Sequence, residues 1–295
     1  MVSPMQSIVG AIYIFVAVVF TPIYARIIYI FIYHKCYRSL ECYRIMIQIG
    51  VIQIVMGPEA LFIGLTHLLD QDFLMIANTV AKVMSSFIRM ESILSLVLAM
   101  NRLKIICGLG YSTRIHTVIV VLAWIFGIVY AILLFTPCCN YKVVPGEFLP
   151  KYDLSRPHTA TLAYVGSAVL SVTTLLNAMI YVVIVAYLVY QRRRHGTTSN
   201  FQKEKTIFLY ATIRFVIDMT LTVVYNFIDT DHLTWLDFPV FLGYILNNLA
   251  VSPVLYLSLY RSLRKEFWCG SSQSVTVVVA TPNSPAHTLR KLTTG

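Results

Sequence analysis

The chain has 295 residues, of which 58% are hydrophobic and only 12% are charged. An ordinary soluble domain carries about 25% charged residues, so this composition excludes one and predicts an integral membrane protein. The 23 lysines and arginines outnumber the 13 acidic residues. They lie in short clusters between apolar runs rather than on one continuous face, which argues against a nucleic-acid partner.

Seven apolar stretches are each long enough, at about 20 residues, to cross a bilayer. We name them spans one to seven, and they cover residues 5–29, 45–66, 73–100, 117–137, 160–190, 206–228 and 238–260. The prediction is an all-α membrane protein with a seven-transmembrane helix bundle in residues 1–268. Residues 269–295, rich in Ser and Thr, are predicted to form a disordered cytoplasmic tail. No basic segment precedes span one, so no signal peptide is expected.

The positions of the basic residues predict the orientation of the bundle. If the N-terminus lies outside, the cytoplasmic segments contain 16 lysines and arginines, the outside segments contain three and the spans contain four. This asymmetry favours an outside N-terminus and a cytoplasmic C-terminus. The basic, amphipathic stretch after span seven is expected to form a short interfacial helix that contacts anionic membrane lipids.

Besides Arg26 near the predicted cytoplasmic end of span one, six charged side chains fall inside the predicted spans, where each costs about 2.5 to 3.5 kcal/mol at the bilayer centre. They are Glu59, Lys82, Arg89, Glu91, Arg214 and Asp218. We expect them to face the bundle interior and to pair. Similar depth predicts a Glu59–Lys82 pair, and a four-residue spacing on one helix predicts an intramembrane Arg214–Asp218 pair.

An outward-facing cavity is the predicted ligand site. Its candidate residues are Glu59, Lys82 and Arg89 together with the aromatic residues Tyr164, Phe241 and Tyr244. Two alternatives stay open at this point: the charges could be structural pairs that fix the helix register, and the aromatic residues could belong to interfacial belts.

Span seven contains a proline close to its cytoplasmic end. Pro253 leaves a backbone carbonyl without its usual donor and is expected to kink the helix there. Tyr256 follows one turn later and could bring its hydroxyl group to the freed carbonyl. The pattern predicts an adjustable cytoplasmic end of span seven.

The outer loop, residues 138–158, is rich in proline, charge and aromatic residues and is expected to cover the cavity mouth. It begins with Cys138 and Cys139, which are the two cysteines predicted to lie in an oxidising compartment. The outer end of span three carries no cysteine that could join them. The two thiols could be free, paired with each other, or paired between chains.

Several short motifs carry a resemblance to a known family. They are "CYRIMIQIGVIQ" at 42–53, "MNRL" at 100–103, Trp124 in span four and "SPVLYLSLYRSLRKEF" at 252–267. In order and depth they resemble the motifs of seven-helix G-protein-coupled receptors. The combination is most similar to nematode serpentine chemoreceptors of class T, with classes X and V as neighbours, and it covers residues 5–268.

The resemblance implies a chemosensory receptor of the plasma membrane, located in sensory cilia, which binds a small environmental or pheromone-like molecule. It also implies a heterotrimeric G protein as partner and a switch at the cytoplasmic ends of spans six and seven. The residues that carry over to coupling are Asn101, Arg102, Arg192, Arg193, Arg194, Pro253 and Tyr256.

The chain departs from the family pattern at three motif positions, and span six lacks the proline that the family carries there. Gln53 stands where an acidic residue is expected, Asn101 replaces the acid before Arg102, and Ser252 replaces the asparagine before Pro253. Because the acidic residue and the asparagine of the sodium pocket are both lost, the sodium regulation that the resemblance would imply is not expected.

Other classes of function leave no signature in the sequence. Span seven contains no lysine that could hold retinal, and no glycine-rich phosphate loop, HExxH motif or spaced Cys/His set occurs. No enzyme activity, cofactor or metal is therefore predicted. The alternative function is an ion channel or solute carrier that uses the buried charges as a pathway. The odd number of spans and the lack of internal repeats weaken that alternative.

Overall fold

The structure is a computed structural model, and it describes residues 3–195, 212–224, 234–259 and 261–269. Within these ranges, six helices are long and apolar enough to cross a membrane. They correspond to predicted spans one to five and seven. Predicted span six falls on residues 206–228, of which 212–224 are described and are helical. The predicted tail lies outside the described residues from position 270 onward.

The helix bounds follow the predicted order. Span one is Pro4–Tyr33, and a short helix, Lys35–Arg38, follows it. Span two consists of Glu41–Ile54 and Met56–Leu69, and span three of a 3₁₀ turn, Phe73–Met75, and the helix Ile76–Cys107. Span four is Arg114–Phe135 and span five is Thr159–His195. Span seven combines Thr234–Leu246, a π-helical segment at Asn247–Val251, and Ser252–Leu259.

Span three continues seven residues past its predicted end at residue 100. Asn101 and Arg102 are polar, so the sequence pattern placed the membrane exit there, but both side chains are buried within the continuing helix. The helix ends at Gly108, whose φ of 65° is left-handed and suits glycine. The inner end of span three therefore packs within the bundle. We use "inner end" for the side predicted to face the cytoplasm.

Burial separates the central spans from the peripheral ones. In the membrane-length windows of spans two and three, 56% of the residues are buried, against 22% in span four. Large apolar side chains such as Phe15, Ile125 and Val182 are exposed on the outside of the bundle. A surface of this kind suits contact with lipid acyl chains.

The amphipathic helix predicted after span seven is present as Arg261–Cys269. Leu263 is buried, and Phe267 lies beneath the guanidinium of Arg26 at 4.9 Å from its ring centroid. Glu266 forms an ion pair with His34, directly after span one. These contacts fasten the helix to the inner end of span one.

The outer halves of spans one and two meet at two glycines. A Cβ atom on Gly10 would lie 2.7 Å from the Gly64 carbonyl oxygen, and a Cβ on Gly64 would lie 2.7 Å from the Gly10 carbonyl oxygen. Small residues at such crossings allow helix backbones to approach closely in a membrane. Only glycine fits this crossing without a shift of one backbone.

We predict that Gly64→Ala lowers the apparent melting temperature of the purified protein, because overpacking costs about 1 to 3 kcal/mol. Alanine favours helix over glycine, so helix propensity alone would raise the melting temperature instead. Gly110→Ala is the control, since a Cβ there meets nothing within 4 Å. An equal or higher melting temperature for Gly64→Ala would show that the two helices are not in close contact.

Candidate functional site

Two adjoining cavities lie inside the bundle. The inner cavity lies between spans two, three, five, six and seven. The outer cavity lies directly beneath the outer loop. Ile88, Leu170 and Tyr244 line both cavities, so the two cavities are separated only by these side chains.

Arg214 of span six is the centre of a polar network beside the inner cavity. Its guanidinium donates to Glu91 Oε1 at 2.7 Å on span three and to Asp218 Oδ2 at 3.2 Å on its own helix. On span seven it donates to the backbone carbonyl of Asn247 and to Ser252 Oγ at 3.0 Å. An arginine has five N–H donors in a fixed planar arrangement, and here they join three spans.

Gln53 extends this network to spans one and two. Its Nε2 donates to Glu91 Oε1 at 2.5 Å, while its Oε1 accepts from Tyr24 at 2.5 Å and from Ser252 at 3.2 Å. Asn247 Nδ2 donates to Asp218 Oδ1 at 2.5 Å. The residues that depart from the family pattern at 53 and 252 thus contact each other.

The same network reaches the backbone of the π-helical turn before Pro253. The π-helical segment Asn247–Val251 ends at Ser252, and the proline that follows has no N–H to donate. In a helix the nitrogen at position 253 would serve the carbonyl of Leu249 or Asn248, whereas Arg214 donates to the Asn247 carbonyl, one residue before that gap. π-helical turns often occur at functional sites within α-helices. Tyr256, which we expected to reach the gap, is buried with its ring against Phe31 at 5.4 Å between centroids.

The outer cavity contains four of the six predicted ligand-binding residues: Glu59, Arg89, Phe241 and Tyr244. Glu59 is 3% exposed, and its Oε2 has no hydrogen-bond partner among the described residues. It follows Pro58 in the first turn of the outer helix of span two, where the helix N-terminus favours a carboxylate. The cavity thus has an acidic group on span two and a basic group on span three.

Arg89 is held by the outer loop. Its Nη2 donates to the Tyr152 hydroxyl at 2.6 Å, and its guanidinium lies 4.7 Å from the Tyr130 ring centroid. Gly166 of span five makes room for this arrangement, because a Cβ there would lie 2.2 Å from Arg89 Nε. The loop, span four and span five thereby fix the position of the basic group.

The outer loop forms a lid over the cavity, and a short hairpin with two residues in each strand stiffens it. Tyr141–Lys142 pairs antiparallel with Lys151–Tyr152. The Val143 N–H donates to Asn78 Oδ1 at 2.9 Å, and Lys151 forms an ion pair with the buried Asp237 at 3.1 Å. These bonds tie the loop to spans three and seven without a disulfide, because Cys138 and Cys139 are both free.

Two predicted ligand residues lie elsewhere. Tyr164 is 76% exposed on the outer surface of span five, as an interfacial aromatic belt would place it, so its prediction as a cavity residue was wrong. Lys82 does not pair with Glu59; its ammonium lies 5.4 Å from the ring centroid of Phe135 on span four. The predicted pair was chosen because the two residues lie at a similar depth in the membrane. Lys82, however, points toward span four rather than toward Glu59 on span two.

At the inner end, two of the predicted coupling residues, Asn101 and Arg102, lie in a polar cluster. Asn101 Nδ2 donates to Glu41 Oε2 at 3.0 Å, and Arg102 donates to the Cys42 thiol. Glu41 Oε1 also contacts His116 Nδ1 at 2.9 Å. Arg102 is therefore turned toward span two. Span five continues as a helix through the other basic coupling residues, Arg192, Arg193 and Arg194, whose side chains lie outside the described residues.

Sequence reasoning missed several members of these sites. Tyr152 and Glu41 lie in loop segments or at their edges, and only the fold brings them to Arg89 and Asn101. Glu91 was identified as a buried charge, but its partner Arg214 is 123 residues away. The available signal was polarity at membrane depth, which identifies such residues without naming their partners.

Comparison with known proteins identifies the fold. The crystal structure of squid rhodopsin matches with a TM-score of 0.65 and 12% sequence identity over 88% of this chain and 83% of that chain. No protein-family model matches the sequence, and no curated protein matches it significantly. The chain is a multi-pass membrane protein with the rhodopsin-like seven-helix fold, which confirms the predicted fold class.

We predict that Arg214→Met lowers stability by about 3 to 5 kcal/mol, because it leaves the Glu91 carboxylate buried without its cationic partner. Adding Glu91→Gln should restore part of the loss, since the double variant buries no unpaired charge. Melting of the purified protein measures both effects. The control is Arg264→Met, whose side chain is exposed. Strictly additive losses would indicate that the two charges do not interact.

Proposed function

We propose that the chain is a G-protein-coupled chemosensory receptor of the plasma membrane, of the kind found in nematode serpentine families. The observation that carries the proposal is a lidded outer cavity that shares lining residues with an inner cavity, and the inner cavity lies beside a buried charge network in a rhodopsin-like bundle. The class T motifs of the sequence support the narrower assignment, including sensory cilia as the location.

The ligand would be a small environmental or pheromone-like molecule in the outer cavity. Glu59 and Arg89 offer it an acidic and a basic group, and Phe241 and Tyr244 offer apolar contact. Ligand sites commonly combine an apolar wall with a few well-placed polar groups. The lid residues Tyr141 and Leu149 close the cavity from the predicted outside.

Signalling requires that the ligand bind one conformation of the bundle more tightly than another. Tyr244 contacts both cavities, and Arg214 joins spans three, six and seven just below it. A shift of span seven at the ligand would therefore act on the hydrogen bonds of Arg214. The inner ends of spans six and seven would move in response and open a surface for a heterotrimeric G protein.

Arg102 and Asn101 would control that surface. In this conformation they bind to Cys42 and Glu41 of span two. Release of these contacts would free Arg102 to meet the G protein, together with the basic end of span five at Arg192, Arg193 and Arg194. Pro253 and Tyr256 lie on the adjoining helix and would move with it. Membrane lipids would contact the amphipathic helix Arg261–Cys269.

The proposal is tested by a chemical screen of cells that express the full chain, with recruitment of G-protein α subunits as readout. For an active compound, Glu59→Gln should raise the half-maximal concentration by at least about tenfold, which corresponds to 1.4 kcal/mol. Tyr164→Phe should leave it unchanged, because Tyr164 is exposed outside the cavity. Arg102→Ala should lower the maximal response while surface expression is retained.

Two results would contradict the receptor proposal. One is an absence of recruitment for every compound while the protein reaches the cell surface. The other is compound-dependent ion or solute flux through proteoliposomes that contain the purified chain, which would favour the channel or carrier instead.

A further inference from the structure

The first two residues of the outer loop place two thiols in contact. The Sγ atoms of Cys138 and Cys139 are 3.3 Å apart, and both cysteines are free. Cys139 is 4% exposed, whereas Cys138 is partly accessible at the surface of the loop. The pair lies on the side of the membrane predicted to be oxidising, where thiols form disulfides.

The surrounding loop holds this pair in place. Thr136 Oγ1 lies 2.9 Å from the Cys138 sulfur, and the Cys139 N–H donates to the Thr136 carbonyl at 3.3 Å. The Cys138 carbonyl accepts from the His158 N–H at 3.3 Å, at the start of span five. The two thiols are therefore positioned by both ends of the loop.

The two sulfurs differ in their chemistry. Hydrogen bonds, first with Thr136 and then with Cys139, lower the pKa of the Cys138 thiol. Burial, followed by the hydrogen bond with Cys138, raises the pKa of Cys139 to about 11. Cys138 is thus the more readily ionised thiol and the better nucleophile, and Cys139 remains a protonated thiol beside it.

We propose that Cys138 and Cys139 form a reversible oxidation site, in which a peroxide converts the two neighbouring thiols into a disulfide. The Cys138 thiolate attacks a peroxide oxygen, the O–O bond breaks, and sulfenic acid and hydroxide form. The Cys139 sulfur then attacks the Cys138 sulfur, and its proton leaves with the sulfenic hydroxyl as water. Two thiols lose two electrons in total, and one hydrogen peroxide becomes two waters.

Adjacency along the chain makes this disulfide easy to reduce. Neighbouring Cα atoms are about 3.8 Å apart, below the 4.4 to 6.8 Å that disulfides usually span. Constrained and exposed disulfides are the labile ones. Tyr141 lies two residues further on and lines the outer cavity, so closing the ring acts on a segment of the lid.

The test uses the purified full chain, which is reduced, treated with hydrogen peroxide, alkylated with N-ethylmaleimide and analysed by peptide mass spectrometry. We expect the peptide that carries both cysteines to lose two hydrogens and to escape alkylation, and dithiothreitol to restore alkylation. In Cys139→Ser, dimedone should label Cys138 as sulfenic acid. Cys107 serves as the internal control thiol and should remain alkylated.

A second probe works on the unmutated chain. Phenylarsine oxide binds two thiols at once, so it should block alkylation of both cysteines, and neither Cys138→Ser nor Cys139→Ser should show this protection. The proposal is overturned if both thiols stay alkylated after peroxide and phenylarsine oxide. It is equally overturned if peroxide yields only a disulfide-linked dimer of two chains on a non-reducing gel. Neither readout requires a ligand or a G protein, so the result is independent of the proposed function.

Discussion

The ion pair between Arg214 and Glu91 is the interaction around which the bundle is organised. A single charge in the hydrocarbon region is costly, and a charged pair is tolerated when its remaining donors and acceptors are also bonded. Here Gln53 donates a further hydrogen bond to the Glu91 carboxylate, and Asp218 and Ser252 accept further hydrogen bonds from the Arg214 guanidinium. Because these partners come from spans two, three, six and seven, the pairing fixes the rotation of each helix about its axis.

The outer loop is also held in place by hydrogen bonds to several spans. The loop can cover the cavity in one position only if it is bonded to the helices, and here its residues form hydrogen bonds with side chains of the bundle. Tyr152 contacts Arg89, Tyr130 and Ser85, while the Phe148 carbonyl accepts from Tyr13 of span one at 3.2 Å. Arg89, which lines the outer cavity, and the lid therefore depend on each other for their positions.

Much of the architecture could be predicted from the sequence, because hydrocarbon thickness sets the length of a span and polar backbone must be bonded within it. The buried charges could also be identified, and the four-residue spacing of Arg214 and Asp218 matches their contact. The partners that these charges find on other helices could not be predicted, because they depend on how each helix is rotated about its own axis. Glu59 and Lys82 have similar depth but lie on faces that do not meet, and Tyr164 has the composition of a cavity residue but faces outward.

The wide turn at Asn247–Val251 has a consequence for the geometry of span seven. A π-helical turn contains an additional residue relative to an α-helical one, and each residue of an α-helix corresponds to a rotation of about 100°. Everything after the turn, including Pro253 and Tyr256, is therefore out of phase with the helix before it. If that single turn became α-helical, the segment Ser252–Leu259 would rotate about the axis of span seven and present a different face to the neighbouring helices.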